Sequence, residues 1–297
     1  LWSSPDLENW TFRSRIYEPQ RTGNYWELPY LLPYGDKDVL MYGRGTYWVG
    51  KFDKKTLKFT PDNETPQLLD PSSGIVYAPN CHLTDDKGVG GTQRRFVLSW
   101  VFQGSPTQGF PYWEGLMWLP RVMDLKNGRL IQDVPPEFEK LRGMHAGAKD
   151  LLIAEKPVRV KGVEGDTVEL DVEFDVANAT AKLFGLKLRL SEDGQQYTRV
   201  YYDREKDILG IDGPIDFGQD SRGRKPKLSS GPAHAKDPGK LRLRVFLDKS
   251  VLEVIYNGQS QTKRIYPDKL GKQIEFFAEG GEAKITKVDC WQMKAVW

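Results

Sequence analysis

Thr167-Val168-Glu169-Leu170-Asp171-Val172-Glu173-Phe174 alternates apolar and acidic side chains without a break. Successive residues of a strand point to opposite faces, so Val168, Leu170, Val172 and Phe174 fall on one face and the three acids on the other. Further along, Leu241, Leu243, Val245 and Leu247 alternate with Arg242, Arg244 and Phe246, and residues 251–256, 273–278 and 283–292 continue the pattern. Half-buried antiparallel strands read in this way. About nine of them after residue 150 predict a two-sheet sandwich.

Upstream of this region the chain is equally poor in helical spacing. Short β-branched and aromatic runs at 39–42, 47–52 and 96–102 read as strands. Turn signals separate them: Tyr34-Gly35-Asp36, Pro61-Asp62-Asn63, Asp85-Asp86-Lys87-Gly88 and Lys126-Asn127-Gly128. Short strands at this spacing predict a sandwich, barrel or propeller. Gly143, Gly147 and Ala148 mark a connection near residues 140–149, and one helical turn is predicted over Pro136–Leu141. The fold class is therefore all-β, with one domain over residues 1–145 and a β-sandwich over 150–297.

Composition narrows the function. Hydrophobic residues make up 39% of the 297 and charged residues 28%, enough for a real core. No apolar run approaches the roughly 18 residues of a membrane helix, so no membrane partner is expected. Lys and Arg number 43 against 41 Asp and Glu, without the clustered excess that tracks a phosphate backbone. No nucleic-acid partner is expected either. The one basic cluster, Arg222-Gly-Arg224-Lys225-Pro-Lys227, lies in a Gly/Pro/Ser-rich stretch and reads as a solvated loop. Cys81 and Cys290 lie far apart, as do His82, His145 and His234, and match no ligand spacing. Neither a metal nor a cofactor is implied.

Aromatics make up 12% of the chain and concentrate before residue 120, at Trp2, Trp10, Trp26, Trp48, Trp100, Trp113 and Trp118. Such rings fill β cores, and a ring face also packs on sugar C–H groups. Asn9-Trp-Thr11, Asn63-Glu-Thr65 and Asn178-Ala-Thr180 fit the glycosylation pattern, a weak signal. The sharpest site candidate is Tyr25-Trp26-Glu27-Leu28-Pro29-Tyr30, where a lone carboxylate stands among aromatic and apolar neighbours. Desolvation there would favour the protonated acid, the form that donates to a leaving oxygen in glycoside cleavage. The bland alternative is an edge-strand charge.

Several segments follow one another in a telling order. They are Leu1-Trp-Ser-Ser-Pro-Asp-Leu-Glu-Asn-Trp10, Trp26-Glu27-Leu28-Pro29, Tyr47-Trp-Val-Gly-Lys-Phe-Asp53 and Gly74-Ile-Val-Tyr77-Ala78. Arg94-Arg95-Phe-Val-Leu-Ser-Trp100, Leu119-Pro120-Arg121, Ser250-Val-Leu-Glu-Val-Ile-Tyr-Asn257 and Arg264-Ile-Tyr-Pro267 come after them. Over nearly the whole chain this series resembles glycoside hydrolase family 32, the β-fructosidases (invertases, inulinases, levanases). The resemblance implies a five-bladed β-propeller joined to a β-sandwich. It also implies retaining cleavage by three carboxylates: an Asp nucleophile in Asn-Asp-Pro-Asn-Gly, an Asp in Arg-Asp-Pro that steadies the transition state, and a Glu acid/base. In retaining enzymes the nucleophile and acid/base lie about 5–5.5 Å apart.

By this resemblance Glu27 is the acid/base, with Leu28 in place of the family's usual Cys. Asp70, Tyr77, Trp26 and Trp100 are the expected sugar contacts, Asp70 being near but out of register with an Asp the family uses to hold sugar hydroxyls. Neither Asn-Asp-Pro nor Arg-Asp-Pro occurs, and the Asp-Pro pairs at Asp70 and Asp237 have the wrong context and order. The chain opens on Leu1 inside what reads as a strand. We therefore expect a partial propeller of about three blades, the acid/base without the nucleophile, and a partner fragment that completes the propeller.

The implied substrate is a fructose-containing oligo- or polysaccharide, and an extracellular or periplasmic location follows from that class alone. Two other readings remain open at this point. One is a non-catalytic carbohydrate-binding or interaction module derived from the same fold. The other is an inverting arabinan-cleaving propeller enzyme, against which the C-terminal sandwich argues.

Overall fold

A computed structural model describes residues 1–18, 27–71, 76–83, 94–101, 115–214, 229–236, 238–265 and 271–295. Trp26, the Asp85–Gly88 turn, the basic cluster at 222–227 and the end of the Arg264–Pro267 segment lie outside these residues.

Tight turns make the first half a pair of antiparallel meanders. Tyr30–Tyr34, Lys37–Tyr42 and Thr46–Asp53 pair in sequence, and Lys58–Pro61 and Gln67–Leu68 share the next position as one broken strand. Val76–Leu83 and Arg95–Val101 open the second sheet. Leu116–Met117 and Arg121–Lys126 share its third position, and Arg129–Asp133 closes it. At the last hairpin Asn127 and Gly128 both take positive φ, 51° and 71°, as a two-residue type I′ turn requires. A two-stranded hairpin, Trp2–Ser3 with Thr11–Phe12, precedes both sheets. The expectation of about three blades thus meets two four-position sheets and one hairpin among the described residues. Val39, Met41, Val49, Val97, Val101 and Trp118 form a core shared by the two sheets.

The second half is the expected sandwich. A six-stranded sheet runs in the order Arg142–Ile153, Ala283–Met293, Thr167–Asp175, Lys240–Asp248, Val251–Tyr256 and Gln259–Arg264. A five-stranded sheet runs Ser229–Pro232, Ile208–Asp212, Thr198–Asp203, Leu183–Leu190 and Gln273–Glu279. That is two strands more than the nine expected. The helical turn at Pro136–Leu141 is a 3₁₀ helix that leads directly into the first strand. That strand, Arg142–Ile153, occupies most of residues 140–149, where the sequence placed the connection. The apolar sides of the alternating strands meet between the sheets, for example Phe174 and Phe184 with ring centroids 5.2 Å apart.

The polar sides do not simply face water. Glu169, Arg244, Phe246, Glu253 and Ile255 all point away from the sandwich core and are buried. The first half covers part of this face. Arg121 of the second meander pairs with Glu253, and both side chains are shut off from solvent. The Leu119 N–H donates to Glu253 Oε1 at 3.0 Å, and the Arg121 guanidinium lies 4.6 Å from the Trp118 ring. Arg244 donates to Asp133 at 2.5 Å and to Glu169 at 2.7 Å, while Arg142 grips Glu169 through two bonds of 2.8 Å. Burial opposes ionisation of Glu169, but the two guanidiniums outweigh it and hold the carboxyl below its ordinary range.

A buried ion pair is costly to break from one side because the survivor is left uncompensated. Arg121→Met alone should lower stability by about 3–5 kcal/mol, while Arg121→Met with Glu253→Leu should recover most of that loss. Urea denaturation of the two variants checks this. Equal losses in the single and double variants would show that packing, not the ion pair, governs the joint.

Candidate active site

The two meanders meet through their first strands. The Tyr30 hydroxyl, on the first strand of one sheet, donates to Asn80 Oδ1 on the first strand of the other at 3.0 Å. Glu27 lies just before Tyr30, and the chain turns between them at Leu28, where φ is 54°. Between strands two and three of the same sheet sits the turn Gly43-Arg44-Gly45. The Gly43 N–H donates to the Glu27 carbonyl at 2.7 Å, and its own carbonyl accepts the Ala78 N–H at 3.1 Å. One residue, through the two peptide groups that flank it, thus ties Glu27 to the second sheet. Gly43 has φ 55°, a conformation that glycine adopts without steric cost.

Next to Ala78, the strand Val76–Leu83 carries a bulge. Tyr77 pairs with Trp100 and Asn80 with Leu98, so Ala78 and Pro79 together oppose Ser99. Ala78 takes φ 56°, unusual for a residue with a Cβ. Bulges redirect the side chains beside them. Here the Ser99 hydroxyl donates to the Tyr77 carbonyl at 2.7 Å, and the Tyr77 hydroxyl reaches Glu27 and donates to Oε2. The Trp100 ring stands edge-on to Tyr77 with centroids 6.2 Å apart and is 37% exposed. The exposed Arg44 guanidinium lies 6.0 Å from the Tyr77 ring centroid.

Glu27, Tyr77 and Trp100, singled out from sequence, therefore come together. Trp26 lies outside the described residues. Asp70 does not join them: it is 4% exposed and accepts a bond from the Thr262 hydroxyl of the sandwich at 2.8 Å. Glu27 is exposed and Leu28 is 46% exposed, so among the described residues no apolar enclosure surrounds this carboxylate; Tyr25 and Trp26 lie outside them. Among the described residues it is the Tyr77 hydroxyl that holds this carboxylate. The Gly43-Arg44-Gly45 turn and Asn80 went unnoticed in the sequence, although a cation between two glycines is a legible signal. Among the described residues no group of three or more His, Cys, Asp and Glu side chains is placed to hold a metal ion.

The Trp aromatics sort by role. Trp48 and Trp118 are core residues at 2% and 1% exposure, whereas Trp100 opens to solvent beside Tyr77. An exposed carboxylate with a positioned donor, next to an accessible indole, is an arrangement suited to proton transfer on a bound sugar.

The all-β architecture of meandering sheets joined to a sandwich narrows the class, and comparison with known proteins fixes it. Residues 137–292 match the profile described as glycosyl hydrolases family 32 C terminal, and residues 1–134 match the glycosyl hydrolases family 32 N-terminal domain. The chain belongs to glycosyl hydrolase family 32, whose members combine a β-propeller with a β-sandwich. It is 30% identical to a levanase of Bacillus subtilis (strain 168), over 100% of this chain and 47% of the levanase. To a sucrose-6-phosphate hydrolase of Escherichia coli it is 26% identical, over 99% of this chain and 61% of that protein. The crystal structure of fructan 1-exohydrolase IIa from Cichorium intybus superposes with a TM-score of 0.81 at 18% identity, covering 99% of this chain and 66% of that one. The chain spans about half to three fifths of the length of the curated relatives it matches.

Gly115 tests how tightly this wall is built. It has φ 75°, and a Cβ there would fall 1.7 Å from Trp100 Nε1. Gly115→Ala should displace the indole and destabilise by more than about 1 kcal/mol, whereas at a compatible glycine site the same change is stabilising. A thermal melt together with tryptophan emission checks it, and an unchanged spectrum and midpoint would contradict the packing described.

Proposed function

We propose that the protein is a β-fructosidase that cleaves fructosides with retention, and that this chain supplies Glu27 as the general acid/base. The observation that carries the proposal is the Glu27 carboxylate itself, open to solvent, fixed through its backbone by Gly43 and met by the Tyr77 hydroxyl. Protonating the glycosidic oxygen requires a carboxyl that is accessible and oriented, and this one is both. Trp100 offers a ring against which the sugar C–H groups pack. In this reading the first half, residues 1–145, carries the chemistry as blades of a five-bladed propeller, and the sandwich over 150–297 buttresses it.

The nucleophile and the transition-state Asp, absent from this sequence as motifs, would come from the part of the relatives' length that this chain does not span. The substrate class is a fructose-containing saccharide, as the names levanase and exo-inulinase among the relatives indicate for those proteins. Two carboxylates on opposite sides of the scissile bond then act in turn. Glu27 donates its proton to the departing oxygen while the nucleophile takes the fructosyl group. Glu27 next removes a proton from the water that releases it.

General acid/base groups are worth roughly 10²- to 10⁴-fold in rate. Glu27→Gln in the full-length protein should therefore lower kcat on sucrose, inulin or levan by about that factor, with stability little changed. Reducing-sugar release measures it. Wild-type turnover in the variant would remove Glu27 from the mechanism.

A further inference from the structure

We propose that Tyr77 is a positioning residue for Glu27 and not a sugar contact. The inference rests on the reading of Glu27 as the acid/base. Among the described residues the Tyr77 hydroxyl is the one donor to the Glu27 carboxylate, and it is committed to Oε2. The tyrosine cannot easily swing toward a ligand instead. Its carbonyl is held by Ser99 at 2.7 Å, and the next residue's N–H is held by Gly43 at 3.1 Å. The bulge at Ala78 and Pro79 sets the direction of the strand, and Trp100 stands edge-on to the ring. The Tyr77 side chain is half-buried while its hydroxyl reaches an exposed carboxylate.

The chemistry follows from which oxygen is occupied. With Oε2 accepting from Tyr77, the acidic proton resides on Oε1. As the glycosidic C–O bond breaks, that proton passes from Oε1 to the leaving oxygen, whose electron pair it captures. The carboxylate left behind shares its charge with Oε2. The hydrogen bond from Tyr77 then becomes charge-assisted and roughly doubles in strength. An interaction stronger in the transition state than in the ground state raises kcat and leaves KM alone. In the second half-reaction the proton returns from water to Oε1 and the bond relaxes.

A comparison of leaving groups separates this role from sugar binding. In the full-length protein, Tyr77→Phe keeps the ring that packs on Trp100 and removes only the donor. On sucrose, whose leaving alkoxide needs protonation, kcat should fall about 10- to 100-fold with KM within about twofold of wild type. On β-D-fructofuranosyl fluoride, whose leaving group departs without a proton, kcat should fall less than about threefold. In a Glu27→Gln background the same substitution should add almost nothing on sucrose, because Tyr77 acts through Glu27. A rise in KM, or equal losses of kcat on both substrates, would overturn the proposal. So would an additive loss in the Glu27→Gln background. Should Glu27→Gln itself leave sucrose hydrolysis intact, the failure would lie with the acid/base reading and not with Tyr77.

Discussion

The backbone of Gly43 is bonded on both sides, by its N–H to the Glu27 carbonyl and by its carbonyl to the Ala78 N–H. Every other feature of the candidate site follows from that bridge. Glu27 precedes the first strand of one sheet, and Ala78 lies in the first strand of the next, so neither sheet alone can set their separation. Hydrogen bonds between backbone groups are short and directional, and a buried peptide left unpaired is costly. The bridge therefore fixes the register of one sheet against the other to within the tolerance of a hydrogen bond. Tyr77, next to Ala78, inherits that register and meets the Glu27 side chain.

Such precision needs a rigid support, and the sandwich provides it. Its outer face buries Glu253 against Arg121, Glu169 against Arg244 and Arg142, and Thr262 against Asp70. Gln132 adds a bond of 2.6 Å from its side chain to the Leu69 carbonyl and a backbone bond of 2.8 Å to Gly258. An apolar joint of equal area would hold the halves together but leave their orientation softer. Paired charges and directional hydrogen bonds select one orientation, a role attested for some buried polar groups. Leu69 links the two ends of the molecule. Its N–H bonds the Gly45 carbonyl of the turn that presents Gly43, and its own carbonyl bonds Gln132 at the joint.

Much of this was legible before any coordinates. The alternation at residues 167–174 announced the sandwich because a strand with one apolar face repeats every two residues. Lys126-Asn127-Gly128 announced a turn, and the structure makes it a hairpin because Asn127 and Gly128 both take positive φ. What pattern reading does not show is contact between residues distant in sequence. Gln259–Arg264 carries no apolar alternation, yet residues 260–264 are buried, Ser260 and Thr262 against Gln132 and Asp70 of the first half and Gln261 within the sandwich. Asp70 reads as a sugar contact because it lies near, though out of register with, an Asp the family uses to hold sugar hydroxyls, whereas its carboxylate accepts a bond from Thr262 at the joint. Glu27 looked desolvated because its sequence neighbours are apolar; of the neighbours described, Leu28 is exposed, while Tyr25 and Trp26 lie outside the described residues. Glu27, Tyr77 and Trp100 were chosen by resemblance and chemistry, and contacts across 50 and 23 residues unite them.

The most direct measurement is a crystal structure of the full-length protein, carrying Glu27→Gln, with an unhydrolysed fructoside bound. The side chain at position 27 should lie about 2.6–3.2 Å from the bridging glycosidic oxygen, within reach of proton transfer. The two hydrogen bonds of Gly43 should be intact, and the sugar should rest against Trp100. A fructoside bound elsewhere on the molecule, or one whose bridging oxygen lies beyond the reach of position 27, would contradict the assignment of this site.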